Sequence, residues 1–142
     1  MITVGAQSGD PNRLLQLKRA HTLSDIKNAV HLINQFELMA NLDFIIAYPD
    51  EDRAERKRTF AFIEYLNRQY RVKIQFHHFF PLSGSHMQFR FPSRLDNQSR
   101  LDLQNIFLNG IGRKGWVQNE IDSDRFFSWL RRRSYSQFKK YQ

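Results

Sequence analysis

The sequence predicts an α/β protein in which three parallel strands alternate with two crossover helices. Three β-rich stretches begin near residues 2, 41 and 72, and the two stretches between them carry apolar residues at helical spacing. Strands that are separated by a helix pair in parallel through right-handed crossovers, so this order predicts one parallel sheet. The length of 142 residues is that of a single domain.

The first strand and the first helix are indicated at the amino-terminal end. The stretch MITVGAQSG is apolar at Ile2 and Val4 and runs into Gly9-Asp10-Pro11-Asn12, a cluster that stops regular structure. Thr22 and Asp25 have the spacing of a helix-capping box. A helix over about 22–37 is therefore predicted. Its apolar residues are Ile26, Ala29, Val30, Ile33 and Phe36.

The second strand and the second helix follow directly. NLDFIIAY, over 41–48, is nearly all apolar, as is typical of a strand that is covered on both faces, and it ends at Pro49. Asp50 is suited to cap the next helix, which is predicted over about 51–69. Phe60, Ile63 and Leu66 form its inward face, and the charged run EDRAERKR is expected to be a solvated first half.

The third strand, VKIQFHHFF over 72–80, alternates between two faces and is closed by the turn residues 81–84. A helix over about 95–109 should end at Gly110, and a basic, aromatic helix should extend from Asp122 to about Lys140. We therefore divide the chain into a sheet-bearing part, 1–92, and a helical extension, 93–142. The first strand is expected to be an edge that needs cover.

Composition excludes several classes of function. The chain has no cysteine, which excludes disulfides, thiolate metal sites and an iron–sulfur cluster held by this chain. Its apolar runs are far shorter than the roughly 20 residues of a membrane span, so no membrane partner and a cytoplasmic location are expected. The net charge of +8 favours an anionic partner, such as nucleic acid, a phosphorylated ligand or an acidic protein surface.

Two local patterns have competing interpretations. His77 and His78 are adjacent on a strand, so their side chains point to opposite faces and do not chelate one ion together. The terminal stretch FFSWLRRRSYSQFKKY mixes basic and aromatic residues, as surfaces that bind single-stranded nucleic acid do. At helical spacing, however, its aromatic residues also form a docking face with a charged back. Nucleic acid is therefore the less favoured partner.

Three segments, read in order from residue 2 to 87, resemble the second half of a radical S-adenosylmethionine (radical SAM) enzyme barrel. They are GAQSGDPNRLLQLKRAHTLSDIKNAVHLINQF, NLDFIIAYPDED and HHFFPLSGS. In that family similar segments read G-[VA]-Q-S-G, R-G-H-T, D-[FL]-I-x-G-L-P and P-L-P-G-T. The match looks closest to the branch in which a cobalamin-binding domain precedes the radical SAM core. The resemblance implies half of a TIM-type barrel, with three parallel strands, crossover helices and carboxyl-terminal helices.

The resemblance also implies a site for S-adenosylmethionine at the carboxyl ends of the strands, where ligands of parallel sheets bind. By motif position, Gln7, Arg19 and Asp43 correspond to family residues that contact the ribose and amino-acid portions of the ligand. The third strand end, beginning at His78, would lie beside the adenine. The implied set is Gln7, Ser8, Arg19, Asp43, Ile45 and His78. For Asp43, a structural ion pair, for example with Arg19, is the alternative.

The chain also departs from the family pattern. It lacks the cysteines that hold the family's four-iron cluster, and it has AYPDED for GLPGE, PLSGS for PLPGT and RAH for RGH. A truncated or split radical SAM-type protein is thus expected, inactive alone and completed by a cysteine-bearing half-barrel or a cobalamin-binding polypeptide, or associated as a homo-oligomer. The alternatives are a non-catalytic basic interaction module that binds nucleic acid or protein, and an unrelated small nucleic-acid binder.

Overall fold

The computed structural model describes residues 1–82, 84–112, 120–122, 124–125 and 127–128. The three strands form one parallel sheet in the order β1-β2-β3, which confirms the predicted α/β class and places β1 at an edge. The elements are β1 (Ile2–Gln7), α1 (Pro11–Gln16), α2 (Leu23–Gln35), β2 (Ala40–Ile46), α3 (Arg53–Gln69), β3 (Val72–His78) and α4 (Asn97–Leu108).

Local sequence signals set the helix starts. The capping box of Thr22 and Asp25 is present at the start of α2, as predicted. The cap of α3 is Asp52, whose side chain accepts a hydrogen bond from the N–H of Glu55, so the prediction of Asp50 as the cap was wrong. The short α1 was also missed, because the Gly9–Asn12 cluster that stops β1 supplies the helix cap, Asp10, as well as the break.

The hydrophobic core lies between one face of the sheet and the helices. The sheet contributes alternate residues of β2 and β3, and α2 and α3 contribute the residues that recur at helical spacing. These core residues include Leu42, Phe44, Ile46, Ile74 and Phe76 from the strands, with Ile26, Val30, Phe60, Ile63 and Leu66 from the helices. The helices therefore cover one face of the sheet.

The segment after β3 belongs to the same core. Leu95, Leu103 and Ile106 are buried in it, and α4 lies against α3. The N–H of Ile74 donates to the carbonyl of Ile111 at 3.2 Å, and Gly112 forms a parallel bridge with Ile74. The sheet thus continues beyond β3 by one bridge, which the sequence analysis did not predict.

Most of the predicted terminal helix, 122–140, lies outside the described residues, although residues 120–122, 124–125 and 127–128 are helical. Within the ranges that the structure describes, every helix is too short or too polar to cross a membrane.

Candidate functional site

The second face of the sheet is polar and is turned away from the helices. Its residues alternate with the core residues along each strand. They are Thr3, Gly5 and Gln7 on β1, Asn41, Asp43 and Ile45 on β2, and Lys73, Gln75 and His77 on β3. No described helix lies against this face, which we call the uncovered face, although Asn41 is buried there and Asp43 and Ile45 are half-buried. The expectation that β2 is covered on both faces is therefore met only in part. The polar residues Asn41 and Asp43, two apart in an otherwise apolar run, were the signal for this uncovered face.

Asp43 lies at the centre of the uncovered face. Its Oδ1 is 3.4 Å from Nδ2 of Asn41 and 3.5 Å from Nε2 of His77, and its side chain is 27% exposed. Asp43 thus contacts Asn41 and His77, and not Arg19, which was the structural partner expected as the alternative. Arg19 is exposed in the segment between α1 and α2, where its charge acts on the buried phenol of Tyr48. Asp43 therefore presents a half-exposed carboxylate to the uncovered face.

Gln7 ends β1 with an unusual backbone. Its φ is 67°, and the register between β1 and β2 shifts between Val4 and Gln7, which marks a β-bulge. The amide nitrogen of the Gln7 side chain lies 2.8 Å from the position that a Cβ on Gly5 would take. The Gln7 carboxamide therefore lies over Gly5 on the polar face. Ile45 is half-buried on the same face, beyond Asp43.

Ser8 is not brought to the uncovered face. Its hydroxyl lies 3.3 Å from Oγ1 of Thr59 on α3 and accepts a hydrogen bond from the N–H of Asp10 at 3.0 Å. The next residue, Gly9, is held equally closely: its N–H donates to Oγ1 of Thr59, and a Cβ on Gly9 would lie 2.7 Å from the Cα of Thr59. These contacts fasten the end of β1 to α3.

His78 also lies on the helix side, since it shares a face with Ile74 and Phe76. Burial lowers the pKa of its imidazole, and its Nδ1 is 3.3 Å from the carbonyl oxygen of Phe79. It borders a cavity of about 380 Å³ whose wall includes Arg100 and Glu120. Of the six predicted ligand residues, Gln7, Asp43 and Ile45 thus share the uncovered face, whereas Ser8, Arg19 and His78 do not.

β2 ends in a turn that contains two residues with a left-handed backbone conformation. Ala47 has a φ of 63° and Asp50 a φ of 62°. The Glu51 carboxylate accepts a hydrogen bond from the N–H of Ala47 at 2.6 Å, and its own N–H donates to the carbonyl of Tyr48 at 3.0 Å. Burial, together with the charge of Glu55, raises the pKa of Glu51 to about 7.

Buried ion pairs surround this turn. Arg13 donates to both carboxylate oxygens of Glu55, at 2.6 and 2.8 Å, and its guanidinium lies 5.2 Å from the centre of the Tyr48 ring. Arg56 bonds to Glu51 and also reaches Asp96 at 3.1 Å. The charged run at the start of α3 was expected to be solvated, but Glu55 and Arg56 are 8% and 4% exposed. No periodic pattern in the sequence indicates this burial, because the partners of Glu55 and Arg56 lie on distant elements.

The described residues contain no cluster of three or more histidine or acidic side chains that would hold a metal ion. His77 and His78 lie on opposite faces of the sheet, as the alternation of a strand predicts.

Comparison with known proteins gives one distant relative. No family model matches the chain. An uncharacterized protein of Methanocaldococcus jannaschii, MJ1620, is 33% identical over 87 residues. That match covers 61% of this chain and 17% of the relative. The chain is therefore similar to a small part of a much longer protein.

Proposed function

We propose that this chain is the carboxyl-terminal half of a radical SAM-type barrel, and that it supplies part of the S-adenosylmethionine-binding face once a cysteine-bearing half completes the barrel. Alone it is inactive. Its partner is a polypeptide that carries the remaining strands, the cluster-binding cysteines and, as in the related branch, a cobalamin-binding domain.

The observation that carries the proposal is the one-sided sheet. Parallel sheets are normally covered on both faces, because their crossover helices lie there. Here the helices of the described residues cover one face, and the other presents Gln7, Asp43, Gln75 and His77. In a barrel such a face is the interior, where polar groups meet a ligand near the carboxyl ends of the strands.

The strand-end turns give independent support. The resemblance pairs AYPDE with the family's G-L-P-G-E, so Ala47 and Asp50 stand where the family has glycine. Both residues have a positive φ, a conformation that glycine adopts without steric cost. Gly9, the second glycine of GAQSG, packs so closely against α3 that there is no room for a side chain. Backbone conformations that suit glycine at positions where the family has glycine support the proposal.

The residues present fit one of the two implied groups. A carboxylate and a carboxamide, Asp43 and Gln7, share the polar face and suit the ribose hydroxyls and ammonium group of S-adenosylmethionine. The iron–sulfur cluster does not fit this chain, because there is no thiolate to hold it. The other half of the barrel would have to supply the cluster for reductive cleavage of S-adenosylmethionine. This chain would only bind and orient S-adenosylmethionine.

Calorimetry on a reconstituted pair tests the proposal. The chain is combined with the cysteine-bearing first half of a radical SAM barrel, supplied as a separate polypeptide, and titrated with S-adenosylmethionine. The Asp43→Ala variant should bind roughly ten- to a hundredfold more weakly, since a hydrogen bond to a charged group contributes about 1.5–3 kcal/mol. Glu64→Ala is the matched control, because Glu64 is an exposed carboxylate on the helix side.

Equal affinity of the parent and Asp43→Ala pairs, with both pairs folded, would remove Asp43 from the ligand site. A folded pair that binds no S-adenosylmethionine would refute the proposed function. The non-catalytic module would then be favoured.

A further inference from the structure

We infer that the outer edge of β1, with which no strand of the described residues pairs, and the adjoining flank of α2 form a docking surface for a strand–helix unit of a second α/β polypeptide. The β1–α2 flank, as we call it, consists of Ile2, Thr3, Leu32 and Phe36. The inference rests on the proposed function only in requiring a second polypeptide, and it makes no use of S-adenosylmethionine.

The edge of β1 has hydrogen-bonding groups to offer. The N–H of Ile2 donates to the carbonyl of Met39 at 3.0 Å, so the peptide groups of Ile2 face β2. Amide groups alternate between the two sides of a strand, and those of Thr3 therefore face outward. Ile2 is 45% exposed, and Thr3 is exposed. An edge of this kind accepts a further strand.

The flank of α2 on the side away from α3 carries two exposed apolar residues, Leu32 and Phe36. Lys27, His31 and Asn34 face α3, where they approach Tyr65, Tyr70 and Arg71. At about 100° of rotation for each residue, Leu32 and Phe36 lie about 150° around the helix from that side. They are 55% and 71% exposed and are four residues apart, so they are neighbours on the helix surface.

The fitting occupant is a strand parallel to β1, with its helix on the same side of the sheet as α2. The strand would bond to the β1 edge, and the helix would cover Leu32 and Phe36. In the M. jannaschii relative, the segment that matches this chain makes up 17% of the protein. The matching segment of that relative is therefore part of one polypeptide with many further residues, and such residues are a source for the occupant.

A second copy of this chain fits the surface less well. Two copies could pair their β1 edges around a twofold axis perpendicular to the sheet. The two β1 strands would then run antiparallel, and the helices of both copies would lie on the same side of the joined sheet. The polar face of each copy would stay uncovered. Two chains of net charge +8 also repel each other. A parallel strand–helix unit would instead extend the sheet in the direction of its existing strands.

The test uses a defined probe, the M. jannaschii relative from which the 87 aligned residues have been deleted. The full chain is titrated against this probe without S-adenosylmethionine, and the excised 87-residue segment serves as the positive control. Phe36→Asp should weaken binding about tenfold or more, because it places a charge on an apolar flank that becomes buried in the complex. Leu15→Asp should change binding by less than about twofold, since Leu15 is 77% exposed on α1. Binding should also slow hydrogen exchange at the Thr3 amide.

Three results would overturn the inference. One is failure of this chain to bind the probe, whether or not the excised segment binds it. Another is equal affinity of Phe36→Asp and the parent, with circular dichroism showing both folded. The third is self-association of the chain alone that Phe36→Asp abolishes, which would make a second copy the occupant. Docking through this flank in a complex that fails to bind S-adenosylmethionine would leave the inference standing and remove only the proposed function.

Discussion

The carboxylate of Glu51 accepts a 2.6 Å hydrogen bond from the N–H of Ala47, a residue whose φ of 63° an L-amino acid rarely adopts. The acceptor is a buried acid with a pKa raised to about 7, and it bonds at the same time to Arg56. The turn at the end of β2 is therefore held by a group that changes charge near neutral pH.

We expect the protein to become less stable as the pH rises from about 5 to above 7, because Glu51 loses its proton in this range. The folded-state pKa of about 7 exceeds the ordinary value of 4.5, so between these values the folded state holds a proton that the unfolded state has released. Stability falls with pH wherever the folded state binds more protons. Urea unfolding of the parent and of Glu51→Gln at pH 5, 6 and 8 measures this contribution as the difference between the two proteins.

The comparison with Glu51→Gln is needed because His78 acts in the opposite direction. Burial lowers the pKa of His78, so its contribution to stability increases as the pH rises toward its ordinary value of 6.5. That contribution is the same in both proteins and cancels. If the parent and Glu51→Gln show parallel pH profiles, then Glu51 does not titrate in this range.

Removing the Arg56 side chain should be among the most damaging changes. Its guanidinium bonds to Glu51, Ser93, Asp96 and Ser99 and so ties the start of α4 to the end of β2. Arg56→Ala leaves the buried Glu51 without its cation, which should cost about 3–5 kcal/mol at pH 8. The loss should be smaller at pH 5, where Glu51 is protonated.

Arg68→Ala is the control for Arg56→Ala, because Arg68 forms an exposed pair with Glu64 four residues earlier on the same helix. That pair should contribute less than about 0.5 kcal/mol. Similar losses in the two variants, measured by urea unfolding, would show that the Arg56 contacts add little.

The Arg13–Glu55 pair should behave as one unit. Both side chains are buried, and each single change, Arg13→Met or Glu55→Leu, leaves a buried charge without its partner. Each should cost about 3–5 kcal/mol, whereas the double variant should lose less than the sum of the two. A double-mutant cycle by chemical unfolding measures the coupling, and additive losses would contradict it.

Gly9 should not tolerate a side chain. A Cβ on Gly9 would lie 2.7 Å from the Cα of Thr59 and 2.9 Å from the Cβ of Phe62, so Gly9→Ala should lower the free energy of unfolding by about 1–3 kcal/mol. Gly5→Ala is the matched control, because its Cβ would meet only the flexible end of the Gln7 side chain. Thermal unfolding of both variants compares them, and equal midpoints would show that α3 can move away from Gly9.

The sequence by itself determined the three strands, their parallel order and the helices α2, α3 and α4, but not the short α1. The capping box at Thr22, the apolar spacing from Ile26 to Ile33 and the β-rich run after Val72 are local patterns, and each formed the element that it predicted. Local periodicity is sufficient there because a helix or strand needs only its own residues to bury one face. The sequence pattern also placed Gln7 at the end of β1, whereas Asp43, which was expected at a strand end, lies in the middle of β2.

Only the tertiary structure decided which of these residues share a face and which charges are buried. Ser8 directly follows Gln7, and His78 directly follows His77, yet both Ser8 and His78 lie on the helix side. Arg56 resembles any solvated helix-start residue until Asp96, 40 positions later, folds against it. Burial of a charge depends on partners from distant segments, because only they repay its desolvation, and no local pattern records them.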